Sequence, residues 1–174
     1  MGTIRTGGIE PSESCSPSTL YSLLSTSCKG KTCILGVGNR MKGDDGAGPM
    51  LIDRIAGRVK ADCVDAGIVP ENFLEKIIRM GPDTVLIVDA LNFSGTPGDI
   101  RVLKPDAIAS GGISSHALSL RMTCDYLNSR SRVSVHIVGI QPASTELGQE
   151  ELSPQVSNAL DTLCDCLRKI LPCE

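Results

Sequence analysis

The sequence predicts an α/β fold: three layers, with a mostly parallel, twisted five-stranded sheet, one antiparallel strand and helices on both faces. Two observations carry this. Short apolar runs of strand length alternate along the chain with segments whose apolar residues recur at helical spacing, a pattern that requires crossovers onto a parallel sheet. The strongest runs, 33–37 (CILGV) and 84–89 (TVLIVD), are apolar almost throughout rather than alternating, as strands covered on both faces must be.

The elements follow in order. Residues 1–30 read as a leader, flexible and Ser-, Pro- and Gly-rich over 1–16, with a short amphipathic stretch at 20–24, opened by Ser18 and Thr19, that is expected to pack as an extra helix. Regular structure starts at Thr32, and the run 33–37 is the first strand. A helix is expected over 47–58, where Leu51, Ile52 and Ile55 share a face and Pro49 falls in the first turn, in which its missing amide hydrogen does no harm. A strand over 61–65 and a helix over 70–80 come next; Phe73, Leu74 and Ile77 form the apolar stripe and Gly81-Pro82 the stop. The run 84–89 is the central strand. Residues 99–103 (DIRVL) follow a Gly-rich link too short for another crossover and are expected to lie antiparallel beside it. A helix over 116–128, a strand over 133–138 and a final helix from Ser153-Pro154, with Val156, Leu160, Leu163, Leu167 and Ile170 in phase, complete one domain spanning 31–174.

Composition narrows the function classes. A chain of 174 residues, 41% hydrophobic and 21% charged, is sized for one globular unit. With two Phe, two Tyr and no Trp it has no platform for stacking bases. Seventeen basic residues against 20 acidic, a net charge of −3, give no positive field for phosphate backbones. Nucleic acid is therefore not the expected partner. Nor is a membrane, because no apolar stretch approaches the roughly 20 residues of a span. The first thirty residues lack the continuous apolar block of an export signal. Eight cysteines without CxxC spacing are expected as reduced thiols in a cytoplasmic protein, and Cys164 and Cys166, two apart on a helix, should face different sides.

Ligands of such sheets sit beyond the carboxyl ends of the parallel strands, and the acids gather there. Asp44 and Asp45 follow the first strand in GVGNRMKGDDGAG, Asp65 ends the second and Asp89 the third. Asp45 and Asp89, with His116, are expected at exposed loop positions rather than in the core. Clustered carboxylates repel one another unless a cation offsets their charge. Of the two histidines, His136 lies inside a strand and reads as structural, whereas His116 follows GGISS at a helix start, where the dipole favours a neutral, ligating ring. Two carboxylates and an imidazole suit nickel, zinc, iron or manganese. A dinucleotide site is excluded, because Met41 stands where the third glycine is needed and the paired acids would oppose a pyrophosphate.

The blocks ILGVGNRMKGDDGAGP, VDAG, LIVDALNFSGTPGDIRVL, SSHALSL, VGIQP and ELSP, in this order, resemble the nickel-iron hydrogenase maturation endopeptidases over about residues 32–171. DAGIVPEN and VGIQP are most similar to the hydrogenase 3 branch. The resemblance implies a cytoplasmic, monomeric, aspartic-type endopeptidase that removes a C-terminal extension from the hydrogenase large-subunit precursor after nickel insertion. It implies that Asp45, Asp89 and His116 contact the nickel of the substrate, with no tightly bound cofactor of the enzyme's own. Asp65 takes the place of the acid in the family's D-x-G motif, where it could orient or deprotonate a water. The other function class compatible with these residues is a nickel-binding chaperone or carrier that cleaves nothing.

Overall fold

The computed structural model describes residues 15–108 and 117–173. Ser16 caps the first helix, α1 (Pro17–Ser27), its hydroxyl accepting from the Thr19 amide at 3.2 Å. Helix α1 packs as the extra helix expected at 20–24, its Leu20 and Leu24 fully buried against the last helix, α6 (Pro154–Ile170). The packed core thus already includes this segment.

Five strands form one sheet in the spatial order β2 (Asp62–Gly67), β1 (Thr32–Val37), β3 (Thr84–Ala90), β5 (Ser134–Ile140), β4 (Ile100–Leu103). The first four run parallel, and β4 is antiparallel to β5, with Val102 opposite Val138. Every residue of β1 and β3 is buried, which accounts for their unbroken apolar character. Helices α1, α6 and α2 (Ala47–Ile55) cover one face, packing on Ile34, Leu86 and Val88. Helices α3 (Leu74–Met80) and α5 (Ala117–Arg130) cover the other, on Leu35, Ile87 and Ile137, with the single turn α4 (Pro105–Ile108) beside them. The three-layer arrangement and its one antiparallel strand are as the sequence predicts.

Several details differ from expectation for physical reasons. Strand β4 does not flank β3, because β5 enters between them and pairs with β3 along its whole length. A fully apolar strand gains from a long neighbour on each side, and the short, half-exposed β4 suits the sheet edge. The helix predicted over 47–58 stops at Ile55, where Ala56 turns extended and Gly57 takes φ +72°. Residues 70–73 form a 3₁₀ turn before α3 proper. Cys164 and Cys166 do face different sides of α6, as expected, Cys166 toward the Pro17 carbonyl of α1 and Cys164 toward Arg54 of α2, and both are buried because those two helices enclose α6. All eight cysteines are free thiols.

From β1 the chain moves through α2 to β2 on one side, then returns through α3 to β3 on the other. Adjacent parallel strands β1 and β3 are therefore left by connections heading in opposite directions, and a crevice opens beyond their carboxyl ends.

Candidate active site

The loop from Gly38 to Gly46 lines that crevice, and glycines set its shape. Gly38 has φ +137°, and a Cβ there would lie 1.8 Å from the Asp45 carbonyl oxygen. Gly48 starts α2 against the sheet so closely that a Cβ would come within 2.4 Å of the carbonyls of Val37 and Val88. This backbone approach, open only to glycine, brings the 3₁₀ turn Gly43–Gly46 down onto the ends of β1 and β3. Asp45 Oδ2 then accepts the Asn39 amide at 2.9 Å.

Asp89 is still part of β3, in register with Gly139 of β5, and is 0% exposed. Neither of its carboxylate oxygens has a hydrogen-bond partner among the described residues. Burial, and secondarily the charge of Asp45, hold its pKa well above the usual carboxylate range; the Ala90 amide, outside hydrogen-bond geometry, offsets this only in part. The structure thus brings Asp45 and Asp89 together, but not at exposed loop positions. Both are buried, one because its strand runs on between two neighbours and the other because its turn is pressed onto the sheet.

Asp44, the neighbour of Asp45, faces away from this pair into a different set of contacts. Its oxygens accept the amides of Ala143, Ser144 and Ser153 at 2.8, 3.2 and 2.7 Å and the Ser153 hydroxyl at 2.9 Å. Ser153 is the N-cap of α6, so one carboxylate ties the acidic turn, the loop after β5 and a helix start together. Gln141 does comparable work after β3: its side-chain oxygen accepts the amides of Phe93 and Gly95 at 3.0 and 3.1 Å. Sequence reasoning did not single out Gln141, although it lies in the VGIQP block; a long-range amide contact leaves no local periodicity to detect.

Asp65 is exposed and turned elsewhere. Its Oδ2 accepts Arg40 Nη2 at 2.8 Å and its Oδ1 the Gly67 amide at 3.0 Å. Arg40 also donates to both oxygens of Asp53, at 2.6 and 3.1 Å, and to the Pro49 carbonyl. This bracket joins the loop after β1 to β2 and α2, a role for Arg40 that the sequence did not disclose. His116 lies outside the described residues, directly before α5 in the chain. Among the described residues no group of three acidic, His or Cys side chains could by itself hold a metal ion. His136 is half-buried in mid-strand, its pKa lowered by burial and then by Lys104, in keeping with a structural residue. No described helix is long and apolar enough to cross a membrane.

A family model for the hydrogenase maturation protease HycI matches residues 50–170, a stretch that contains Asp65, Asp89 and His116 and begins after the Gly43–Gly46 turn. The chain is 40% identical over 112 residues to the hydrogenase 3 maturation protease of Escherichia coli K12, an alignment covering 63% of this chain and 71% of that one. Its fold matches the crystal structure of the [NiFe] hydrogenase maturation protease HycI of Thermococcus kodakarensis with a TM-score of 0.78 and 28% identity, over 86% and 98% of the two chains. It also matches the solution structure of the E. coli endopeptidase HycI, with a TM-score of 0.71 and 31% identity, over 80% and 90%. A family model spanning most of the chain, a relative at 40% identity and shared architecture lead to one conclusion: the chain belongs to the hydrogenase maturation proteases and is a peptidase.

Proposed function

We propose that this peptidase trims the C-terminal extension of a hydrogenase large-subunit precursor after nickel has been inserted, and that it reads the substrate's nickel through Asp45, Asp89 and His116. The observation that carries this reading is Asp89, a carboxylate wholly withdrawn from water, without a hydrogen-bond partner among the described residues, and beside a second buried acid. Such a group costs stability. A cation carried in by the substrate relieves both the desolvation and the mutual repulsion, so binding energy appears only when the precursor is loaded. His116 supplies a neutral nitrogen to the set. The metal belongs to the substrate, and the enzyme keeps no tightly bound cofactor.

Asp65 is assigned to ordering the rim rather than to moving a proton. Both of its oxygens are engaged, by Arg40 and by the Gly67 amide, and reaching a water would forfeit one of those bonds. The enzyme works in the cytoplasm as a monomer, on substrates of the hydrogenase 3 type.

The test is the mass of a nickel-loaded large-subunit precursor before and after incubation with this protein. Loss of a C-terminal fragment is expected with wild type, and none with Asp45→Asn, Asp89→Asn or His116→Ala. Retained binding of the loaded precursor without any loss of mass would favour the carrier reading instead. Full processing by all three variants would remove these residues from the mechanism.

A further inference from the structure

Seven large apolar side chains among the described residues are conspicuously exposed. Singly, such residues are ordinary on a protein surface and call for no explanation. Four of them, however, stand at one place: Met41 (49%), Ile68 (59%), Val69 (38%) and Leu147 (76%) lie in the loops that follow β1, β2 and β5, at the same end of the sheet as Asp45 and Asp89.

Backbone contacts fix these loops relative to the acids. The Gly148 amide donates to the Met41 carbonyl at 2.8 Å, which sets Leu147 next to Met41. Lys42 bridges to Gln149 in the next register position. On the other side, the Gly38 amide donates to the Gly67 carbonyl at 2.9 Å, and the Val69 amide to Ala66 at 3.2 Å, seating Ile68 and Val69 beside the exit of β1. Between the two apolar pairs lies Asn39, whose amide holds Asp45. The rim is thus built on hydrogen-bonded backbone, and a partner settling on it need not order these loops first.

We propose that Met41, Ile68, Val69 and Leu147 form the docking surface for the polypeptide flanking the cleaved bond, an extended segment with apolar side chains on both sides of the cut. The inference rests on the substrate reading given above. A peptidase must place a polypeptide across its site, and this rim is continuous with the buried acids, so a segment crossing from one apolar pair to the other passes over Asp45. The acids meet the substrate's cation and the rim takes its neighbouring side chains. The two recognitions are independent: the acids report that metal is present, and the rim reports which protein carries it. Covering exposed apolar area removes it from water and favours docking in proportion to the area covered.

The experiment compares wild type with the double variant Ile68→Ser/Leu147→Ser and the single variant Met41→Ser. The control is Leu23→Ser, which replaces an exposed apolar residue of α1. The readouts are KM and kcat for the nickel-loaded precursor, direct affinity for that precursor by calorimetry, and mass in solution by light scattering. The double variant is expected to raise KM and weaken affinity tenfold or more with kcat held within twofold, Met41→Ser to do so less, and Leu23→Ser not at all. An unchanged KM and affinity in the double variant overturns the proposal. So does a wild-type dimer that the double variant converts to monomer without a change in affinity, which would make the rim a contact between two copies of this chain. If wild type cleaves nothing, the substrate reading fails on its own, and the affinity arm still decides whether the rim docks the precursor.

Discussion

Asp44 and Ser153 are separated by 109 positions in the chain, yet the Ser153 amide donates to one oxygen of the Asp44 carboxylate at 2.7 Å and the Ser153 hydroxyl to the other at 2.9 Å. The pair joins the acidic turn after β1 to the start of α6, with the amides of Ala143 and Ser144 completing the set. By anchoring this turn, Asp44 fixes the position of the neighbouring acid, Asp45, at the crevice.

Replacing Asp44 should therefore act on stability before chemistry. Asp44→Ala leaves three buried or half-buried amides without their acceptor, a loss of about 3 kcal/mol. Ser153→Ala removes the helix cap and costs about 1 kcal/mol. Urea denaturation measures both, and hydrogen exchange should show faster exchange over 143–153 in Asp44→Ala. Equal stability of Asp44→Ala and wild type would show that the clamp contributes nothing.

Asp89 should make stability depend on pH with a definite sign. Its pKa is raised in the fold, so below the ordinary carboxyl pKa of about 4 both states hold the proton and it contributes nothing. Above that, the unfolded chain ionises while the folded protein keeps its proton. Stability is then lost as pH rises toward the folded pKa, at about 1.4 kcal/mol per pH unit. In chelator-treated buffer Asp89→Asn should melt above wild type at pH 7, and the gain should shrink as pH falls to about 4. A gain that grows on acidification would contradict the burial argument.

Metal content offers a separate check. Purified protein should carry well below one equivalent of any transition metal, and should leave both the metal-free precursor and a synthetic tail peptide uncut. An enzyme with its own catalytic ion would be inactivated by chelator and would cut the metal-free peptide. Crystals soaked in nickel, zinc or cadmium salts should show an ion against Asp45, Asp89 and His116. Efficient cleavage of metal-free precursor would sink the checkpoint reading.

Thiol reactivity should follow burial. Cys33 and Cys124 are pushed up to about 12 and Cys28 to about 11 by desolvation, so their thiolates are scarce at pH 8. Cys173 is exposed and should react first with a disulfide reagent, while these three wait for unfolding. Cys173→Ser should leave precursor processing unchanged. Rapid modification of Cys33 or Cys124 in the native protein would show that the core opens at β1 or α5.

The layer architecture, the parallel strands and the end of the sheet where acids collect are all legible in the residues taken in order. Those features rest on short-range regularities: unbroken apolar runs at 33–37 and 84–89, helical spacing along 156–170, and glycines where backbone must approach backbone. That β5 separates β3 from β4 emerges on folding, because strand order depends on which edges find partners, not on any one strand's residues. Folding likewise divides the work among the acids. Asp44, Asp45, Asp65 and Asp89 look alike in the chain, but one clamps two loops and one pairs with Arg40. The remaining two are enclosed together at the point where β1 and β3 part. What a carboxylate does is set by how much water and how many donors surround it, and those neighbours come from strands and loops that the chain brings together only by folding.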